Sequence, residues 1–248
     1  MGELTVLQLI IVIIAGFGCG FAKTGIATLG VFNAVLMMQV FPAKASVGLL
    51  LPMLIAADIA AVIVYRRHVV WKHLFALLPW VLVGLAGGYL LLSVIDDTRL
   101  RPLLGCMLLV LIGVQLLKDY AGSAMKLLIP ESAWFTTIMG SLAGFATMVG
   151  NVSGVVMSMY LLGKKLPKEV FVGTGAWFYL TVNLIKLPLF IHLDMITADS
   201  VQINLWLIPA IAAGICAGIY VIPRIKQSQF QFIVLLLGMC GAIMLTVQ

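Results

Sequence analysis

Lys23-Thr24-Gly25 and Gly150-Asn151-Val152-Ser153 interrupt two long apolar runs with side chains suited to one task, the holding of an anion. An ammonium offsets negative charge, hydroxyl and amide groups donate hydrogen bonds to oxygens, and glycine lets backbone N–H groups come close. Asp58 lies twelve residues into another apolar run, and 125 positions later its counterpart is Asn183. A carboxylate at such depth either pairs with a cation, Lys23 or Lys186, or takes up a proton, because low dielectric disfavours its charge while a nearby ammonium favours it. Asn183 precedes Lys186 by three residues, which puts both on one helical face, with Trp177 and Tyr179 one to two turns earlier. The candidate substrate-binding set is therefore Lys23, Thr24, Gly25, Gly150, Asn151, Ser153, Trp177, Asn183 and Lys186. Asp58 is the candidate proton-coupling or ion-pair residue. For both lysines the competing reading is snorkelling, in which the ammonium reaches a membrane interface; Lys186, five residues from the end of its apolar run, fits that reading better than Lys23 does.

The elements that must position these groups follow from composition. With 63% hydrophobic and 10% charged residues the chain cannot cover a soluble surface, so its surroundings are lipid. Apolar segments near 4–22, 25–41, 46–65, 73–92, 101–117, 133–150, 151–163, 170–191, 203–221 and 229–247 are long enough, singly or paired, to cross a hydrocarbon core of about 30 Å as helices. The first segment begins Met1-Gly2-Glu3 with no basic residue ahead of it, and reads as retained rather than as a cleaved leader. The chain is also written twice. Gly16, Gly20 and Phe21 recur as Gly140, Gly144 and Phe145, Pro42 and Gly48 as Pro167 and Gly173, and Gly84 and Gly88 as Gly214 and Gly218. Glycines four apart let helix backbones approach closely. The expected organisation is one transmembrane domain over 1–248, with repeat 1 at 4–117, a cytoplasmic linker at 118–132 and repeat 2 at 133–247.

Charge gives direction. The formal net charge of +6 does not mark nucleic-acid binding, because the basic residues sit in short connections rather than on one soluble face. Arg66, Arg67, Lys72, Lys118, Lys126, Lys164, Lys165, Lys168, Arg224 and Lys226 fall in four connections, while the alternate ones hold only Lys44, Arg99 and Arg101 among acidic residues. By the positive-inside rule the first group faces the cytoplasm. The segment 46–65 then runs inward and its copy 170–191 outward, so the repeats are inverted. That needs an odd number of full crossings between equivalent points, which follows if 4–41 and 133–163 each enter and leave on one side as a re-entrant or broken helix hairpin, followed by three transmembrane helices; five full crossings per copy would preserve the inversion too. An even split of 133–163 gives arms of about 23 Å, short for two full spans. Both chain ends would face outward. Cys19, Cys106, Cys216 and Cys240 have no paired spacing, and His68, His73 and His192 fall at segment ends, so neither a metal nor a cofactor is expected.

The residues resemble the TauE/SafE family of sulfite and organosulfonate exporters over nearly the whole chain. The first copy carries Gly20-Phe21-Ala22-Lys23-Thr24-Gly25-Ile26 and then Pro42-Ala43-Lys44-Ala45. The second carries Gly144-Phe145-Ala146-Thr147-Met148-Val149-Gly150-Asn151, Leu166-Pro167-Lys168, and Phe171-Val172-Gly173-Thr174-Gly175-Ala176-Trp177-Phe178, with Asn183, Lys186 and Pro188 beyond. The resemblance implies an all-α multi-pass protein of a prokaryotic inner membrane, built from two inverted repeats and forming a homodimer, that exports small anions such as sulfite or short sulfonates held between the hairpin tips. Alternating access would rock one repeat against the other around a site at the midplane. An anion channel of the same architecture is the alternative. An intramembrane enzyme is a weaker one, since no nucleophile stands at useful spacing from a base.

Overall fold

The computed structural model describes residues 5–23, 29–128, 132–164, 166–221 and the single positions 236, 239, 242, 243 and 246. Within them the chain is all helix: α1 (Val6–Ala22), α2 (Leu29–Met38), α3 (Ala43–Tyr65), α4 (Trp71–Val94), α5 (Asp97–Leu128), α6 (Ala133–Gly150), α7 (Gly154–Gly163), α8 (Lys168–His192), α9 (Ala198–Trp206) and α10 (Ile208–Val221). Helix is what lipid imposes on apolar sequence, because a backbone out of water must pair its own N–H and C=O groups. Five stretches are long and apolar enough to cross a membrane: α3, α4, Asp97–Leu117 of α5, α6, and Glu169–His192 of α8. A sixth span is α9 with α10, bent by 47°. The bend follows from Pro209, the second residue of α10, which lacks the N–H that would bond back into α9. Pro79, at the matching place in the first copy, lies inside an unbroken α4.

In the second hairpin the 18 residues of α6 form a long arm of about 27 Å, while α7, with 10 residues, reaches only about 15 Å. The break in the second hairpin falls where Asn151 takes a left-handed conformation (φ 57°, ψ 27°). Its N–H donates to Thr147 O at 3.0 Å, and the Val152 N–H to Ala146 O at 3.3 Å, which closes the end of α6 without leaving its last carbonyls bare. Helix α5 continues past the apolar run at 117, through part of the stretch between the copies. The expected last segment, 229–247, lies outside the described residues apart from isolated positions.

Helices pack across the two copies rather than within them: α4 lies on α6, α1 on α10, and α3 on α8. The close approaches come in corresponding pairs. A Cβ at Gly20 would stand 2.1 Å from Ile211 O, and one at its counterpart Gly144 would stand 2.1 Å from Val81 O, so only glycine admits the neighbouring backbone at either place. Gly48 meets Met195 in the same way, just beyond the end of α8, and Gly173 meets His68, just beyond the end of α3. Helices α3 and α8 therefore run in opposite directions, side by side.

Connections sort to the two ends of the bundle. Lys44 N donates to Asp97 Oδ1 at 2.7 Å, Arg101 Nη2 donates to Met38 O, and Tyr89 Oη bonds His192 Nδ1 at 3.2 Å, so residues 38–44, 95–101 and 192–195 share one end. At the other end Val70 N donates to Thr174 Oγ1 at 3.1 Å, and His68 lies 3.7 Å from Glu169. Arg66, Arg67, Lys72, Lys164 and Lys168 are found at that second, basic end.

Candidate functional site

Halfway between the Gly48 and Gly173 crossings, α3 presents Asp58 to α8, which presents Asn183. These two polar counterparts touch: Asn183 Nδ2 donates to Asp58 Oδ2 at 2.7 Å. The other carboxylate oxygen lies 2.6 Å from Lys23 Nζ. Lys23 caps the C-terminal end of α1, where the helix stops, and its ammonium also stands 4.4 Å above the Tyr179 ring, a favourable place for a cation. One turn further along α8, Lys186 Nζ donates to Asn183 Oδ1 at 3.4 Å, to Thr147 Oγ1 at 3.1 Å and to Asn151 Oδ1. Asn151 in turn donates through Nδ2 to Val47 O on α3 at 2.8 Å. A continuous polar chain thus runs from α1 through α3 and α8 to the tip of the second hairpin.

Burial gives this chain its weight. Asp58 and Lys186 are both 0% exposed, and a charge so placed persists only if paired and hydrogen-bonded. Lys186 does not snorkel. Its Nζ has three oxygen acceptors around it, all of them neutral, which fill its hydrogen-bonding capacity. The Lys23 side chain keeps 14% exposure and has the Asp58 carboxylate as its ion-pair partner. Lys23, paired with Asp58 and partly exposed, is therefore the accessible cation of the cluster.

Of the residues expected at the site, Lys23, Asp58, Asn151, Asn183 and Lys186 are brought together. Gly150 sits beside them as the last residue of α6; a Cβ there would come within 2.9 Å of Leu104 and 3.0 Å of Met107, so the tip is packed tightly against α5. Ser153 is buried just before α7, where its carbonyl accepts from Met157 N at 2.8 Å. Trp177 lies apart, two and a half turns from Lys186 and so on the opposite face of α8. It packs with Ala61, Val62 and Leu180, and its ring centroid is 5.0 Å from that of Trp71. Thr24 and Gly25 lie outside the described residues. Two members of the network were not among the expected site residues. Tyr179 is one turn before Asn183 on the same face, and Thr147 is the counterpart of Lys23 at the spacing of the glycine repeat, so helical spacing carried a signal for the first and the duplication for the second. Among the described residues no three His, Cys, Asp or Glu side chains gather into a metal-binding group.

The family described as sulfite exporter TauE/SafE matches residues 7–245, nearly the whole chain. The chain belongs to the TauE/SafE family. No curated protein and no solved structure matches it. Membership in the TauE/SafE family makes the chain a membrane transporter rather than an enzyme, and assigns it to sulfite or anion export. With five or six helices able to span, this TauE/SafE protein is an integral membrane protein that crosses more than once.

Proposed function

We propose that this TauE/SafE protein is a secondary exporter of sulfite or short organosulfonates, working by alternating access, with the anion held at Lys23 between the two hairpin tips. The observation that carries the reading is the partly exposed Lys23 cation at the end of α1, held by one buried carboxylate beside a polar chain that both copies contribute. Thr24 and Gly25 from the first hairpin, and Gly150, Asn151 and Ser153 from the second, are the further groups assigned to the anion, since sulfonate oxygens accept hydrogen bonds from hydroxyl, amide and backbone N–H groups. Asp58 couples transport to protons. The repeats are inverted, with the basic end in the cytoplasm; the matched glycine contacts and the opposite directions of α3 and α8 support this arrangement. A homodimer in a prokaryotic inner membrane completes the reading.

The test is flux in proteoliposomes with sulfite, sulfate, thiosulfate and short sulfonates. The expected result is saturable transport of sulfite or a sulfonate that an imposed proton gradient drives beyond the anion's own electrochemical gradient, reduced at least tenfold by Lys23→Ala and also impaired by Asn151→Ala. Flux that never exceeds that gradient would identify a channel, and flux indifferent to both substitutions would remove the hairpin site.

A further inference from the structure

The anion site proposed above already contains an anion. We propose that Asp58 is a tethered competitor for the transported substrate: the incoming anion displaces the Asp58 carboxylate from Lys23, and the displaced carboxylate takes up one proton from water on the side to which the site is open. This rests on the reading of Lys23 as the anion's partner, and adds how that partner is released.

Geometry decides which half of the ion pair moves. Asp58 is fully buried in the middle of α3, and its second oxygen is held by Asn183 at 2.7 Å. Lys23 stands at the end of α1 on a long flexible stem and is partly exposed, so the lysine turns to a new partner while the carboxylate stays. Lys186 cannot replace it, because its three donors are engaged by Thr147, Asn151 and Asn183. The other titratable groups near Asp58 are Cys19 on α1 and Tyr179 on α8, neither of which supplies a positive charge. Helix α2 has no titratable side chain; Asp199, Cys216 and Tyr220 of α9 and α10 are exposed, and Asp97, Arg99 and Arg101 of α5 belong to the far end. Once Lys23 leaves, Asp58 would be a buried carboxylate with one amide donor, a state that a proton relieves. The exchange balances: one anion and one proton enter, one ion pair is replaced by another, and the only covalent bond formed is the O–H of Asp58. Reversal on the far side releases the anion and the proton together. A monoanionic sulfonate then moves without net charge, and the sulfite dianion moves with one net negative charge.

Linkage fixes the sign of the pH dependence. Binding that takes up a proton weakens as pH rises, by about tenfold per pH unit where one proton accompanies each anion. The probe is ethanesulfonate, whose own charge is constant in this range, titrated into the purified full chain across about two pH units near neutrality. The parent is expected to show that slope and to take up one proton per bound anion in weak buffer. Asp58→Asn, which keeps a hydrogen-bonding side chain of the same shape beside Asn183, is expected to bind at least tenfold more tightly at the upper pH and with no slope. Thermal unfolding shows whether each variant is folded. Binding that Lys23→Met abolishes, but that has no pH slope in the parent or is weakened in folded Asp58→Asn, would overturn the displacement and leave the anion site standing. Binding unchanged in Lys23→Met, or absent for both sulfite and ethanesulfonate, would remove the site and the displacement together.

Discussion

Asn151 shows how much one residue can join at a helix break. Its backbone takes a left-handed conformation, its amide nitrogen reaches the α3 carbonyl of Val47, and its amide oxygen accepts from Lys186. Asparagine is among the few residues other than glycine that tolerate this conformation, and the only one of those few that also supplies a donor and an acceptor from one neutral group. The two roles separate by substitution. Asn151→Gly keeps the backbone and loses the bridge; Asn151→Ala loses the bridge and adds backbone strain, so Ala should be less stable than Gly by about 1–2 kcal/mol in chemical unfolding of the detergent-solubilised protein. Equal stability would mean that the tip relaxes out of the left-handed conformation. The correspondence of Asp58 with Asn183 was legible in the sequence, because both occupy one place in a duplicated pattern. The role of Lys186 was not: five residues from the end of an apolar run it reads as a snorkelling side chain, and only the hairpin tip that reaches across to it, carrying Thr147 and Asn151, shows why its ammonium stays inside.

At the scale of elements, glycine decides which helices meet. Gly144 admits the Val81 carbonyl on α4, and Gly20 admits the Ile211 carbonyl on α10, so each long hairpin arm is held by a helix of the other copy. A methyl group at Gly144 must push this backbone contact apart. Gly144→Ala should lower stability by about 1–3 kcal/mol, the range of overpacking in a close-packed interior. Gly113→Ala is the control, since a Cβ there meets nothing within 4 Å, and it should be neutral or stabilising by up to about 1 kcal/mol through helix propensity. Thermal or denaturant unfolding of the two variants beside the parent checks the pair; equal effects would contradict the packing role. The duplicated glycines, the prolines ahead of α3 and α8, and the break between α6 and α7 could be read from the sequence. How the second tip is held could not, because an apolar run broken at 150/151 does not say what the break packs against. The tip is fixed by Asn151 and the tight seat of Gly150 against α5.

At the scale of the whole molecule, matched helix contacts surround an asymmetric cluster of polar groups. Corresponding helices pack in corresponding ways, yet one hairpin delivers Lys23 to Asp58 while the other delivers Thr147 and Asn151 to Lys186. The sorting of basic connections to one end was visible in the sequence as a charge alternation, and the contacts that gather residues 38–44, 95–101 and 192–195 at the opposite end agree with it. Less visible was that the chain's two intramembrane lysines have different tasks, one saturated by neutral oxygens and one held by a carboxylate. The proposal of a single anion site per chain, with Lys23 as its cation, rests on that difference. Calorimetric titration of sulfite into the purified protein tests this most directly, comparing the parent with Lys23→Met. The account predicts one saturable site per chain in the parent and at least a hundredfold weaker binding in the variant, the loss of about 2.7 kcal/mol that a buried charge-assisted contact supplies. Sulfite binding of equal affinity in the parent and in folded Lys23→Met would contradict it.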